Sequence, residues 1–193
     1  MIRPLVHVGD PVLRRPTTPV TAAELGTAEV QQLVDDLIDT MRDADGAGIA
    51  APQIGSSLRI AVVEVTAERT HRRYPYKPLI PLTVLVNPSL TPVGDEQVVL
   101  NEGCLSVPGL RGELRRHVAV EARWTDRDGT ARAAVQRGLT AGTFQHEVDH
   151  LDGHVFLDRV TDPATFTTWD NYQRFHSEAF EARAAALNAR TGT

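Results

Sequence analysis

Apolar positions from Val30 onward recur at spacings of three and four, through Leu33, Val34, Leu37, Ile38 and Met41. That is the stripe of one amphipathic helix, and it ends before Gly46. Thr21 followed by Glu24 has the form of a capping box upstream, with Gly26 between the box and the stripe. Further along, the period shortens. Residues 58–65 and 82–87 are β-branched and apolar runs bounded by turn formers, which predicts buried strands, and residues 98–100 predict a short third. Residues 117–124 alternate, with Val118, Val120, Ala122 and Trp124 on one side. The turn Asp126-Arg127-Asp128-Gly129 then joins them to residues 130–136 in an antiparallel hairpin. Helical spacing returns over residues 138–151, where Leu139, Thr143, His146 and His150 share one face and Phe144, Val148 and Leu151 another. A last helix is predicted over residues 168–189, with Tyr172, Phe175, Ala179, Ala182 and Ala186 at helical spacing and packed on the sheet.

Strands and helices segregate along the chain without regular βαβ units. The expected fold is α+β: mainly antiparallel sheets packed around the central helix 138–151, with an N-terminal and a C-terminal helix. No internal repeat or low-complexity tract interrupts residues 1–193, so one domain is expected, with 161–193 as a C-terminal helical tail. At 193 residues a core forms without metal or disulfide, so a metal found here would be suspected of chemistry. Cys104 is alone, which excludes an intramolecular disulfide and fits a reducing compartment. A net charge of -5 and a pI near 5.8 give no electrostatic footprint for DNA or an anionic membrane. The uncharged stretch 78–94 carries four prolines and cannot be a membrane helix. The opening MIRPLVHVGD lacks an apolar targeting core, so a cytoplasmic location is expected.

The densest chemistry lies in His146-Glu147-Val148-Asp149-His150, an H-E-x-x-H on a predicted helix. Residues four apart share a face, so both imidazoles can bind one ion with Glu147 beside it. A catalytic ion of this kind usually takes three protein ligands and keeps one position open. The metzincin pattern would put a third histidine where this chain has Phe156, which excludes that class. His154 follows the helix-ending Gly153 and is assigned to the surface or a cap. The remaining soft ligand is Cys104, in Glu102-Gly103-Cys104-Leu105-Ser106, a segment that leads to Pro108-Gly109 and looks like a loop end. A thiolate with two imidazoles makes a three-ligand site with a free fourth position. The third element is Gly46-Ala47-Gly48-Ile49-Ala50-Ala51-Pro52-Gln53. Its glycines let backbone approach a ligand, and Gln53 offers an amide to a developing oxyanion.

Together, GAGIAAPQ at 46–53, EGCLS at 102–106 and QHEVDH at 145–150 resemble the three signature motifs of the peptide deformylase family. The resemblance runs from GDPVLR at 9–14 to LDRV at 157–160 and leaves out only the last thirty or so residues. It implies a hydrolase that removes the formyl group from the initiator methionine of nascent chains. N-formylmethionyl peptides and nascent chains are then the expected partners, together with a transient ribosome contact, and neither DNA nor membrane is expected. It implies one divalent ion, typically Fe²⁺, with Zn²⁺, Ni²⁺ or Co²⁺ in some preparations, held by Cys104, His146 and His150. By the same resemblance Glu147 is the acid/base, Gln53 and the Leu105 backbone N–H are the oxyanion donors, and the main chain at Gly46, Ala47, Gly48 and Ile49 pairs with the substrate. Glu102 and Arg116 would support the site from behind, Glu102 also facing substrate, and Arg111 would stand at the pocket rim. One position departs from the family pattern. Gly142, followed by Thr143, replaces a larger residue one turn before His146, which should leave space beside the metal and reshape the methionine pocket. Two other readings use the same residues: a zinc endopeptidase of the H-E-x-x-H type, and a non-catalytic, ribosome-associated metal-binding factor. Against the latter, residues 161–193 carry a net of -1, with no basic docking helix.

Overall fold

The structure, a computed structural model, describes residues 1–70 and 75–193. The Thr21–Glu24 capping box is present, but it caps the short α1 (Ala22–Leu25). The amphipathic helix is α2 (Ala28–Asp43), opened by its own cap, Thr27. Its buried stripe of Val34, Leu37 and Met41 packs on Ile49, Ile60, Val62, Val84 and Val86, which belong to one face of a five-stranded sheet. The strands of that sheet are β1 (Gly48–Ala50), β2 (Ile60–Val65), β3 (Ile80–Pro92), β6 (Ala119–Thr125) and β7 (Ala131–Arg137), paired antiparallel in the order β1-β2-β3-β6-β7. The short α3 (Ala67–Thr70) follows β2. A second sheet pairs β4 (Gln97–Cys104) with β5 (Val107–His117), and β5 with the two-residue β8 (Thr167–Thr168).

Helix α4 (Gly138–Leu151) lies between the sheets and is buried along nearly its whole length. Phe144 and Leu151 join Ala61, Val63, Leu85 and Ala122 on the second face of the large sheet. Its other side, carrying His146 and His150, turns to the β4–β5 hairpin. Such placement explains why this helix shows both an apolar face and a polar one while exposing neither.

Two expectations are corrected. The segment around Cys104 is not a loop end. It is the last residue of β4, and Gln97 to Glu102 pair in register with His117 to Gly112. The alternation is hidden because Glu102 and Arg116 occupy positions where they pair with each other, and Arg111 one where it bonds Asn101, so polar partners rather than apolar packing fill them. The last helix is two helices, α5 (Trp169–Phe175) and α6 (Ser177–Thr191), divided at His176, whose φ of -129° leaves the helical region. Instead of resting on the large sheet, they pack Tyr172, Phe180 and Leu187 against Leu139 of α4 and Leu100 of β4.

Where β3 crosses from β2 to β6, Asn87 adopts φ +51° and the register shifts. Its amide bonds the Val20 backbone twice, accepting from the N–H at 2.8 Å and donating to the C=O at 2.7 Å. Asn87→Ala removes both bonds and leaves at φ +51° a residue that tolerates the left-handed region less well than asparagine, so it should destabilise the fold by about 2–4 kcal/mol. Asn87→Gly loses the bonds without that strain and should cost roughly 1 kcal/mol less. Urea unfolding of the two variants checks the ranking, and an alanine variant as stable as the glycine one would contradict it.

Candidate metal centre and active site

Strand β4 delivers Cys104, and one face of α4 delivers His146 and His150. Cys104 Sγ lies 3.1 Å from His150 Nε2. One ligand atom from each of the three residues falls within 4.8 Å of the other two. The histidine rings meet edge to face, with centroids 5.0 Å apart. His146 Nδ1 is 2.8 Å from Glu102 Oε2, which leaves Nε2 to face the cluster and fixes the ring's tautomer and tilt. The donors suit a divalent ion of intermediate softness: one sulfur, two imidazole nitrogens and, among the described residues, no fourth protein ligand.

Behind the cluster runs a row of charges that starts buried and ends at the exposed Arg159. Glu102 accepts from Arg116 at 2.9 Å and 3.0 Å, Arg116 donates to Asp149 at 2.6 Å, and Asp149 also takes Arg159 at 2.7 Å. Burial alone would raise the Glu102 carboxyl, but Arg116 overrides it and holds the group far below the ordinary carboxylate range. Burial likewise opposes ionisation of Cys104, yet His150 and His146 bring its thiol down to about 5, so it is a thiolate at neutral pH. Glu147 moves the other way. Burial raises it above the ordinary range, and its Oε2 is buried with no hydrogen-bond partner among the described residues. A carboxyl raised by burial and left unpaired beside three ligand atoms is poised to accept and return a proton.

Gln53 is buried in a 3-10 turn after β1, with its Oε1 accepting from Ala50 N–H at 2.8 Å. The other end of the amide is thereby turned outward, toward Ser106 Oγ at 3.2 Å and Cys104 Sγ at 3.5 Å. Leu105 begins the turn that follows Cys104, and a Cβ on Gly46 would stand 3.0 Å from its side chain. Gly48, on edge strand β1, is constrained more severely. A Cβ there would lie 2.3 Å from Glu147 Oε1, so only glycine lets the carboxylate rest against the strand. One cavity brings together Gly48, Gln53, Cys104, His146 and Glu147.

Ala47, Glu102, Leu105, Gly142 and Thr143 also line that cavity. The Ile49 side chain is fully buried in the core, while its backbone belongs to edge strand β1. His154 is exposed, as expected for a surface residue. Arg111 also lines the cavity, from a buried position rather than an exposed edge. It is 5% exposed, bonded to Asn101 at 2.7 Å and covered by the Trp169 and Tyr172 rings. Gly142 leaves no extra space, because Leu100 Cδ1 already sits 2.5 Å from where its Cβ would be. Sequence reasoning missed Asp149, although it stands inside the H-E-x-x-H motif, and it missed Tyr76, Lys77 and Phe180 on the cavity wall, which belong to no motif.

A buried helix that presents two imidazoles and an acid to a thiolate on the adjoining strand, beside a cavity with an aimed amide, defines a metal-dependent hydrolase. The model of the polypeptide deformylase family matches residues 2–165, and the chain belongs to the peptide deformylase family. It is 42% identical to peptide deformylase 2 of a Nostoc species over 170 residues, covering 88% of this chain and 92% of that one. To the peptide deformylase of Rhizobium meliloti it is 39% identical, over 83% of this chain and 86% of that one. Among solved structures, the Met-Ala-Ser-bound class I type b peptide deformylase of Acinetobacter baumannii superposes with a TM-score of 0.78 at 36% identity, covering 83% of this chain and 99% of that one. The chain is therefore an enzyme of N-terminal protein processing, and its reaction is the deformylation of nascent polypeptides. The endopeptidase and non-catalytic readings fall away.

Gly48→Ala should push the Glu147 carboxylate off its seat while leaving the three ligand atoms untouched. Bound metal should stay at the wild-type level and kcat should fall about 10²-fold, the effect of roughly an ångström of misplacement. Unchanged turnover would show that Glu147 does not act from this position.

Proposed function

We propose that Cys104, His146 and His150 hold one divalent ion, Fe²⁺ in the cell, and that Glu147, Gln53 and Leu105 carry out hydrolysis of N-formylmethionyl peptides around it. The observation that carries this reading is the convergence of three ligand atoms within 4.8 Å of one another, two of them from residues that line the same cavity as Glu147 and Gln53. The ion, when bound, supplies a Lewis acid for the formyl oxygen and acidifies water. A thiolate with two imidazoles also accepts Zn²⁺, Ni²⁺ or Co²⁺, so availability selects among them.

The chain's own residues do the rest. Glu147, raised by burial, accepts a proton from the attacking water and returns it to the departing amine, so one carboxyl serves both halves of the reaction. Gln53 Nε2 and the Leu105 N–H donate to the oxygen that becomes negative. β1 is the edge strand of its sheet, and its main chain at Ala47 and Gly48 offers the peptide an added-strand contact that leaves the downstream sequence free. Gly46 keeps that approach open, Leu100 and Thr143 wall the pocket for the first side chain beside Gly142, and Arg111 braces its floor. Glu102 acts by holding His146 rather than by touching substrate. Among the described residues no helix is long and apolar enough to cross a membrane. Action on nascent chains in the cytoplasm, with a brief approach to the ribosome, is the setting that fits.

Two variants separate metal binding from proton transfer. Cys104→Ala leaves two ligands and should lose metal and activity together, with the fold intact. Glu147→Gln should keep full metal occupancy while kcat falls by at least about 10²–10⁴-fold. Metal content and formate release from formyl-Met-Ala, measured on the same preparations, check both. A metal-loaded Cys104→Ala with normal turnover, or a Glu147→Gln that loses its metal, would require a different ligand set.

A further inference from the structure

The catalytic cavity has a chemical end and an apolar one. Cys104, His146 and Glu147 mark the first, and Tyr76, Leu100, Leu139 and Phe180 bring hydrocarbon to the second. The chain's own geometry keeps the two apart. Leu139 precedes His146 by seven residues on α4, about 10 Å along the helix axis, and Leu100 precedes Cys104 by four residues on β4, about 13 Å along the strand. Phe180 packs with both in one buried cluster, so its ring belongs to the same end. Lys77 is bonded to Thr143 and Arg111 to Asn101, so these polar side chains that share the cavity have protein partners of their own.

Phe180 comes from α6, beyond residue 165 where the family match ends. It is 3% exposed and fixed from several sides. The Tyr76 and Tyr172 rings meet it edge to face with centroids 5.0 Å and 6.3 Å away, and the Arg183 guanidinium lies 5.7 Å from its centroid. Asn188, further along α6, donates to the Tyr76 carbonyl at 2.8 Å and ties the neighbouring segment to the same helix. A ring packed in this way has no void to swing into, so it yields little to a longer guest. Formylmethionine drawn out straight has six bonds between the formyl carbon and the terminal methyl and spans roughly 7 Å at ordinary bond lengths. With the formyl group at the ligand atoms, that methyl arrives at the apolar end.

We propose that Phe180 is a specificity-determining residue: its ring closes the end of the pocket for the first side chain, admitting unbranched side chains of methionine's length and turning longer ones away. The proposal rests on the reading of the site given above and adds to it a residue that the three motifs do not contain. Because the wall is hydrocarbon, it selects by reach and not by sulfur. The C-terminal segment is thereby part of the substrate site and not only a tail packed on the domain.

The test measures kcat/KM for formate release from formyl-Met-Ala-Ser, formyl-norleucyl-Ala-Ser and formyl-2-aminooctanoyl-Ala-Ser, whose side chain is two methylenes longer than that of norleucine. The enzymes are metal-loaded wild type, F180A, F180L and L187A. Wild type should treat methionine and norleucine alike and disfavour the long side chain by at least about tenfold. In F180A the ratio of long-chain to norleucine activity should rise about tenfold, the worth of two methylenes buried in the space the ring leaves. F180L keeps apolar bulk and carries the test if F180A does not fold; its ratio should rise by less. Leu187 belongs to the same cluster and is not among the described residues lining the cavity, so L187A loosens the packing without opening the pocket and should leave the ratio unchanged. A ratio unchanged in both Phe180 variants overturns the proposal, as does a wild type that takes the long chain as readily as norleucine. An equal rise in L187A also overturns it, because general loosening would then set the limit on length. Release of no formate from any peptide by wild type would instead defeat the reading of the active site. Calorimetric binding of Met-Ala-Ser and 2-aminooctanoyl-Ala-Ser would still decide the wall: a selective gain for the long peptide in F180A or F180L supports the proposal, and no selective gain overturns it.

Discussion

Arg116 is the interaction on which the rest of the site depends. It is 5% exposed and bonds Glu102 on one side and Asp149 on the other, joining β5, β4 and α4 through three charges that water barely reaches. Isolated, any one of them would be costly to bury, and removing one partner of such a set typically costs about 3–5 kcal/mol. Kept together, they let a helix between two sheets carry a histidine aimed by a carboxylate. Glu102 has one duty toward Arg116 and another toward His146, so the orientation of the His146 ring is set by an ion pair that bridges the two strands of the hairpin.

From that constraint the polarity of the whole site follows. With Glu102 held ionised and His146 held by Nδ1, the imidazoles lower the Cys104 thiol and a negative sulfur faces the cavity. Glu147 receives no such partner. It rests against the bare Cα of Gly48, and burial raises it. Two carboxyls that line one cavity thus stand in opposite states for opposite reasons: one, held low by Arg116, bonds the His146 ring, and the other is raised by burial.

What the sequence disclosed was whatever short spacing encodes. The α2 stripe, the hairpin at Asp126 to Gly129 and the i, i+4 histidines are local patterns, and each appears where it was expected. The reach of β4 and β5 was hidden because their inward positions hold Glu102 and Arg116, which pair with each other, and Arg111, which bonds Asn101, instead of showing apolar alternation. Gly142 misled for a related reason: a missing side chain reads as empty space, whereas Leu100 from another strand fills it. The break at His176 has no glycine or proline to mark it. Lys77 and Phe180 are 103 residues apart in sequence, and only their shared packing with Tyr76 against α4 brings them to one wall.

The central claim is that one sulfur and two imidazole nitrogens hold a single ion where Glu147 can act. X-ray absorption at the metal edge, on enzyme prepared anaerobically and shown by formate release to be active, tests it most directly. The account predicts one ion per chain, iron, with one sulfur and two imidazole nitrogens among its nearest neighbours. A fully active preparation whose ion has no sulfur neighbour would contradict it.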